Sequence, residues 1–457
     1  VKAPKTSADL LGRALAQQRA GRMKEAESLF RQLISRNPEH EQALFMLSVL
    51  FLEAGRFEEA SRYLERLVAI RPNQPVILTN LGEAYRRQGE LGRAAATFES
   101  ILAEDPDFPE ASQNLGITLM DAGKPDEALP HLEHALALRP DAARFHLSLA
   151  WVLLRLERVE ESVEHGKRAV ELEPELAPAH HHLGNAHLEH GDKSASIASY
   201  RRAVELDPSD YDAHSNLILA ALADPGYDQA ALFAEARAWA KRHAEPLREL
   251  QRPHENDRDP ERRLRVGYVS PDFRAHPLKQ FFVPLLHQHD ASAYEIYLYS
   301  SVERPDAVTE QYRALAGNRF REIRRMDDVR AAELVRRDRI DILVDLALHG
   351  AGNRLRLFAC KPAPVQMTWL GYAGTTGLDS IDYRITDPYF DPPGTDLGVY
   401  SETSIHLPES FWSYDALEAD LPVGPPPAQG AGFITFGCLN SYRKLHAGLL
   451  TLWARVL

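Results

Sequence analysis

At 457 residues the chain is too long for a single compact core, so two or three domains are expected, each with apolar residues to bury. A formal charge of −13 with 26% charged residues excludes a general nucleic-acid binder and a membrane-surface protein, since either needs a basic face. The two cysteines, Cys360 and Cys438, stand in no C-x-x-C spacing, which excludes a disulfide framework and a thiolate zinc site and suits a reducing cytoplasm.

In chain order, prolines Pro38, Pro72, Pro106, Pro140, Pro174 and Pro208 recur every 34 residues, and Gly21, Gly55, Gly89, Gly123 and Gly191 keep the same step. Each period holds two helix-patterned segments with glycine at the turn between them and proline after the second. This is the tetratricopeptide pattern. Leu47, Leu81, Leu115, Leu149, Leu183 and Leu217 repeat in register, followed by the small residues Gly82, Gly116, Ala150 and Gly184 where helices must come close. One such helix pair cannot bury its apolar stripe alone, whereas stacked pairs share a core and leave a binding groove. Residues 1–240 are therefore expected to form an α-solenoid, irregular at Glu157, which stands where the other units have glycine, and capped after Pro225-Gly226.

Just before the repeated leucine lie Asn80, Asn114 and Asn216, with Ser148 and His182 in the same register. A row of amides can grip an extended polypeptide through its backbone; the same residues read equally well as solvated helix positions. His180, His181, His182, His187 and His190 offer no pair four residues apart. They read as a polar face and not as a metal site.

Residues 241–263 are charged, carry prolines and are nearly free of apolar residues between Glu245 and Arg263, which predicts a solvated linker. The Asp257-Arg258-Asp259 triplet in it precedes no buried strand and is no metal motif. Beyond it the pattern changes to strand-like runs, LRVGYVS (264–270), YEIYLYS (294–300), IDILVDL (340–346), VQMTWLGY (365–372), DYRIT (382–386) and GFITFG (432–437), alternating with helical stretches. This predicts an open, mostly parallel α/β sheet whose ligands bind at the strands' carboxyl ends. The residues after the strands are thus the candidates: Ser270–Pro277 with His276, His349–Asn353, and Gly371–Gly377. A loop histidine can serve as a general base near neutral pH, and is also a common structural residue. The glycine-threonine loop permits close approach of a sugar or phosphate, or is an ordinary connection.

The strings LRVGYVSPDFRAHP, ACKPAPVQMTWLGYAGTTGLDSIDYRITD and FITFGCLNSYRKLHAGLLTLWARVL, in this order behind the repeats, resemble the tetratricopeptide-repeat protein O-glycosyltransferases, the O-linked N-acetylglucosamine transferases and the Spindly-type O-fucosyltransferases. The resemblance implies a two-lobed, GT-B type fold with Rossmann-like lobes: residues 264–425 as the N-terminal catalytic lobe and 426–457 as the start of a truncated C-terminal lobe. It implies inverting, metal-independent transfer of a sugar from a nucleotide donor to serine or threonine of proteins held by the repeats. By motif match His276 falls on the catalytic histidine, a base whose role is disputed in the family. Leu370 and Gly371 fall on donor-sugar contacts, Lys444 on the lysine that binds the donor diphosphate, and His349 on a histidine bordering the sugar pocket. Asn80, Asn114 and Asn216 fall on contacts to the acceptor backbone.

The expected donor is UDP-N-acetylglucosamine, with GDP-fucose as the alternative, and no cofactor is expected. A non-catalytic binding scaffold with a degenerate lobe is the alternative function. The partners implied are acceptor proteins and a nucleotide-sugar, with neither nucleic acid nor membrane. The fragment as given is expected to be inactive, because most of the donor site would lie in the rest of the second lobe.

Overall fold

The computed structural model describes residues 6–259, 261–372, 374–417, 424–438 and 445–457. The chain divides after His182 into two compact units.

In the first unit, helices pair in sequence: α1 (Ser7–Arg19) with α2 (Met23–Arg36), α3 (Glu41–Glu53) with α4 (Phe57–Ile70), α5 (Pro75–Gln88) with α6 (Leu91–Glu104), α7 (Pro109–Asp121) with α8 (Pro125–Leu138), and α9 (Ala143–Arg155) with α10 (Val159–Leu172). The turns inside these pairs need a left-handed residue. Gly21, Gly55, Gly89 and Gly123 supply it with φ of 72°, 69°, 79° and 79°, and Glu157 is held at φ 61° in the equivalent place. A side chain there costs about 1 kcal/mol. Close packing sets the small residues: a Cβ on Gly82 would stand 2.5 Å from the ring of Phe98, which α6 inserts into that space. In the α9–α10 pair the sizes are exchanged, with Ala150 where Gly82 stands and Gly166 where Phe98 stands, and both are buried. The repeated leucines Leu47, Leu81, Leu115 and Leu149 are each at most 5% exposed.

The second unit begins inside α11 (Ala177–His190) and continues through α12 (Lys193–Leu206), α13 (Tyr211–Leu222) and α14 (Gln229–Trp239). These repeat helices share their compact unit with the α/β lobe. A π-helical turn (Ala240–Ala244) and a 3-10 turn (Glu245–Leu250) carry α14 into the segment expected to be a solvated linker. Although much of this segment is exposed, Gln251 donates to the Ala359 carbonyl at 2.8 Å, Asn256 to Asp341 at 2.6 Å, and Arg262 pairs with Asp341. It is a strap fastened by polar side chains, which apolar content alone could not reveal.

The lobe is one parallel sheet of seven strands in the order β3-β2-β1-β4-β5-β6-β7. The strands are β1 (Leu264–Ser270), β2 (Tyr294–Ser300), β3 (Phe320–Glu322), β4 (Ile342–Asp345), β5 (Val365–Thr368), β6 (Tyr383–Thr386) and β7 (Thr403–His406). Between them run α15 (Leu278–Gln288), α16 (Ala307–Ala316), α17 (Asp328–Arg337) and α18 (Leu355–Ala359), and α19 (Pro427–Ala431) and α20 (Ala447–Val456) follow. The short edge strands β3 and β7 were not expected from the sequence. Conversely, 432–437 forms no strand among the described residues, and Phe433, Ile434 and Phe436 are 66%, 72% and 67% exposed. An apolar alternation without a neighbouring strand has no hydrogen-bonding partner to pair with. Order reverses between β1 and β4, so the crevice of this sheet opens at their carboxyl ends.

Candidate active site

β1 delivers Ser270 to that crevice, fully buried, and its hydroxyl accepts the Asp272 N–H at 3.0 Å to start a turn. The loop is anchored on both sides of its tip. Phe273 is buried and stacks on Phe282 at 5.5 Å, and the Ala275 N–H donates to Asp306 at 2.7 Å. His276 follows, 38% exposed. Its Nδ1 accepts the Leu278 N–H at 3.2 Å, so the neutral ring carries its proton on Nε2. Burial lowers its pKa, opposed by the Asp272 carboxylate, whose oxygen is 3.9 Å from Nδ1. In this form the exposed imidazole offers a hydrogen-bond donor, and acting as a base requires the ring to release the Leu278 N–H.

β4 ends at Asp345, a residue the sequence reading did not single out. Its buried carboxylate accepts the N–H groups of Ala347 (3.2 Å) and Leu348 (2.8 Å) and the Thr368 hydroxyl (2.8 Å), joining the ends of β4 and β5. Burial outweighs these bonds and pushes its pKa up to about 6. The loop it shapes holds Leu348 at φ 47°, and a Cβ on Gly371 would collide with the Leu348 side chain and the Ala347 backbone. Gly371 is therefore required for the β4 and β5 loops to touch. Leu370, at φ 64°, packs its side chain onto the lobe core beside Trp369.

His349 is enclosed within the second unit. Its ring is fully buried, with Nε2 3.0 Å from the Thr376 carbonyl and the edge of the ring 5.1 Å, centroid to centroid, from Trp239 at the end of α14. Desolvation pushes its pKa down to about 3, so it is neutral and donates from Nε2, leaving a buried Nδ1 without a partner. It pins the lobe to the last repeat helix. The glycine-threonine loop is likewise turned inward. Thr375 donates to buried Glu402 at 2.7 Å, Thr376 bonds it through both N–H and hydroxyl, and a Cβ on Gly377 would strike the Ala236 carbonyl of α14. The close approach that this loop permits is to a helix. Glu402 and Trp239 were missed because their partners lie far away in sequence.

The asparagines differ among themselves. The Asn80 amide donates to the Val76 carbonyl of its own helix at 3.1 Å, while the Asn114 side chain makes no hydrogen bond among the described residues. Asn216 lies 3.4 Å from Asn185 and, with Asn185, Tyr227, Ala351 and His446, lines an open cavity of about 750 Å³ that neither His276 nor Leu370 borders. Asn353 ties the loop beside that cavity to α13 through Ser215 at 3.3 Å. Lys444 lies outside the described residues. Among the described residues no group of three or more His, Cys, Asp or Glu side chains is placed to hold a metal ion, and no helix is long and apolar enough to cross a membrane.

Tetratricopeptide repeats run into a parallel lobe with its crevice at the β1/β4 reversal, the place where open α/β sheets bind their ligands. Residues 242–419 match the model of glycosyl transferase family 41, and 17–129, 113–178 and 182–243 match tetratricopeptide repeats. Residues 242–419 are thus similar to glycosyl transferase family 41, and they follow an array of tetratricopeptide repeats. It is 42% identical over 206 residues to a probable UDP-N-acetylglucosamine–peptide N-acetylglucosaminyltransferase SPINDLY of Petunia hybrida, covering 44% of this chain and 22% of that one. It is 40% identical over 246 residues to the rice protein of the same name, covering 53% and 26%. The chain thus spans about a quarter of the length of these relatives. A solved structure of a mutant O-GlcNAc transferase of Thermobaculum terrenum superimposes with a TM-score of 0.62 at 34% identity, covering 83% of this chain and 65% of that one.

Proposed function

We propose that this chain provides the repeat array and the N-terminal catalytic lobe of a protein O-glycosyltransferase. It transfers N-acetylglucosamine from UDP-N-acetylglucosamine, with inversion, to serine or threonine of polypeptides held along the repeats. The observation that carries this reading is that the family 41 match covers the loops converging on the β1/β4 crevice, including the His276 loop and Gly371. In this reading His276 holds a substrate oxygen at its exposed Nε2–H, Leu370 and Gly371 back the donor sugar, and Lys444 neutralises the departing diphosphate. Asn80, Asn114 and Asn216 hold acceptor backbone. Transfer proceeds without a bound metal ion, and EDTA leaves the rate unchanged. The protein works in the cytoplasm, and cell fractionation tests this placement.

Calorimetric titration with UDP-N-acetylglucosamine and GDP-fucose, followed by mass spectrometry of a serine-containing peptide, tests the whole reading. Saturable binding of the first nucleotide, lost in Lys444→Ala, is expected. Binding of GDP-fucose alone would replace the donor, and no sugar on the peptide with either nucleotide, in a protein that carries both lobes, would overturn the transferase.

A further inference from the structure

Helical spacing places Arg144, Ser148, Trp151 and Arg155 on one face of α9, and Ser148 occupies the register of Asn80 and Asn114. This face differs from its neighbours. The Ser148 hydroxyl donates to the Arg144 carbonyl at 2.9 Å and accepts from Gln113 of α7 at 2.9 Å, so it has little capacity left for a ligand. Trp151, by contrast, is 54% exposed. A large aromatic side chain in water, on a helix that already has a buried apolar face, is available to a partner.

Its orientation is supported from below. The His182 ring lies 6.3 Å from the indole, centroid to centroid, at an interplanar angle of 30°. His182 is itself only 2% exposed and stands 2.9 Å from the Ser162 hydroxyl. Ser162 spends its single proton on the Ala150 carbonyl at 2.8 Å, so the imidazole Nε2 must be the donor to Ser162 and the ring is held in one tautomer. The residue in the asparagine register has thus turned inward to become a fixed plate beneath Trp151. At the two ends of the face, the guanidinium groups of Arg144 and Arg155 make no ion pair or hydrogen bond among the described residues, whereas Arg56, Arg86, Arg93 and Arg158 are all ion-paired. In a chain of net charge −13, this leaves two unspent cations flanking an exposed indole.

We propose that this face of α9 is a specificity site for an extended polypeptide carrying an apolar side chain between acidic ones, the apolar group stacking on Trp151 and the carboxylates meeting Arg144 and Arg155. It rests on the reading of the repeats as polypeptide holders. Where asparagines grip any backbone, this face selects side chains: the indole takes proline, aliphatic or aromatic groups, and the arginines reject lysine.

The test is fluorescence anisotropy with dye-labelled peptides, Glu-flanked or Lys-flanked around a common Pro-Val centre, at low ionic strength. The Glu-flanked peptide is expected to bind about tenfold tighter, Trp151→Ala to weaken it about tenfold with Trp151→Phe retaining most of the affinity, and Arg144→Glu with Arg155→Glu to reverse the ranking. Circular dichroism checks that the variants keep their helices. Equal affinity for both peptides, or an unchanged ranking in the charge-reversed protein, overturns the site. If Asn114→Ala then still weakens both peptides alike, the holding function survives without the site; if neither peptide binds the unmodified protein, both fall together.

Discussion

The helix pairs of residues 7–182 and the lobe of residues 264–406 hold their shapes by different means. In the pairs, like contacts recur from period to period: a buried leucine in four of the five pairs, a small residue under a large one in all but α9–α10, and a left-handed turn in each. The lobe is held by polar contacts that occur once each, such as Asp345 under the β4–β5 loops and Glu402 beneath Thr375 and Thr376. A repeated apolar contact has near-equivalents that share the load. A single buried carboxylate with several dependants has none, and its removal strands every one of them.

The sharpest test of that difference is Glu402→Ala, which leaves the buried Thr376 hydroxyl and N–H without an acceptor and the Thr375 hydroxyl with only Ser401. It should destabilise the second unit by about 3 kcal/mol, seen in urea denaturation as an earlier transition for that unit while the helix pairs melt unchanged. Equal loss in both units would break the comparison. In the proposed transferase, His276→Ala should lower the transfer rate about 100-fold through loss of the Nε2–H donor with the denaturation curve unmoved, because the ring is partly exposed and only Nδ1 is engaged.

Asp345 offers a titration. Its folded-state pKa is raised from 3.8 to about 6, so the folded protein binds the proton more tightly than the unfolded chain. The stability this contributes is fully present below the unfolded value and is lost as pH rises through about 6. Relative to Asp345→Asn, which cannot titrate, the unmodified protein should therefore lose stability across that window and level off above it, as read from melting temperatures at stepped pH. A flat difference would show that the carboxylate does not carry this charge change. The smallest expected effect lies in the repeats: Glu157→Gly relieves the φ of 61° and should stabilise the first unit by about 1 kcal/mol, measured by thermal melting. Destabilisation there would mean that the Glu157 side chain contributes more than its backbone strain costs.

The residues that were legible in sequence are those whose role is set by near neighbours or by repetition. The glycine turns, the buried leucines and five of the strand positions belong to this group, as does the placement of His276 and Gly371 behind β1 and β5. The short strands β3 and β7 were missed because three or four residues carry too little alternation to stand out. The apolar run at 432–437 was misread as a strand because alternation reports a capacity to pair and not the presence of a partner.

By itself the sequence determined that this protein is a tetratricopeptide solenoid joined to a parallel α/β lobe whose motifs resemble those of glycosyltransferases, because period, turn chemistry and motif order are properties of the chain alone. Only the tertiary structure decided that His349 is a neutral pin against Trp239, that the glycine-threonine loop closes on α14, that the strap of 251–262 is fastened, and that His182 turns inward beneath Trp151. Each of these depends on which polar group meets which across the fold, and burial makes such a meeting decisive: a buried donor or acceptor must find a partner in space, wherever that partner lies along the chain.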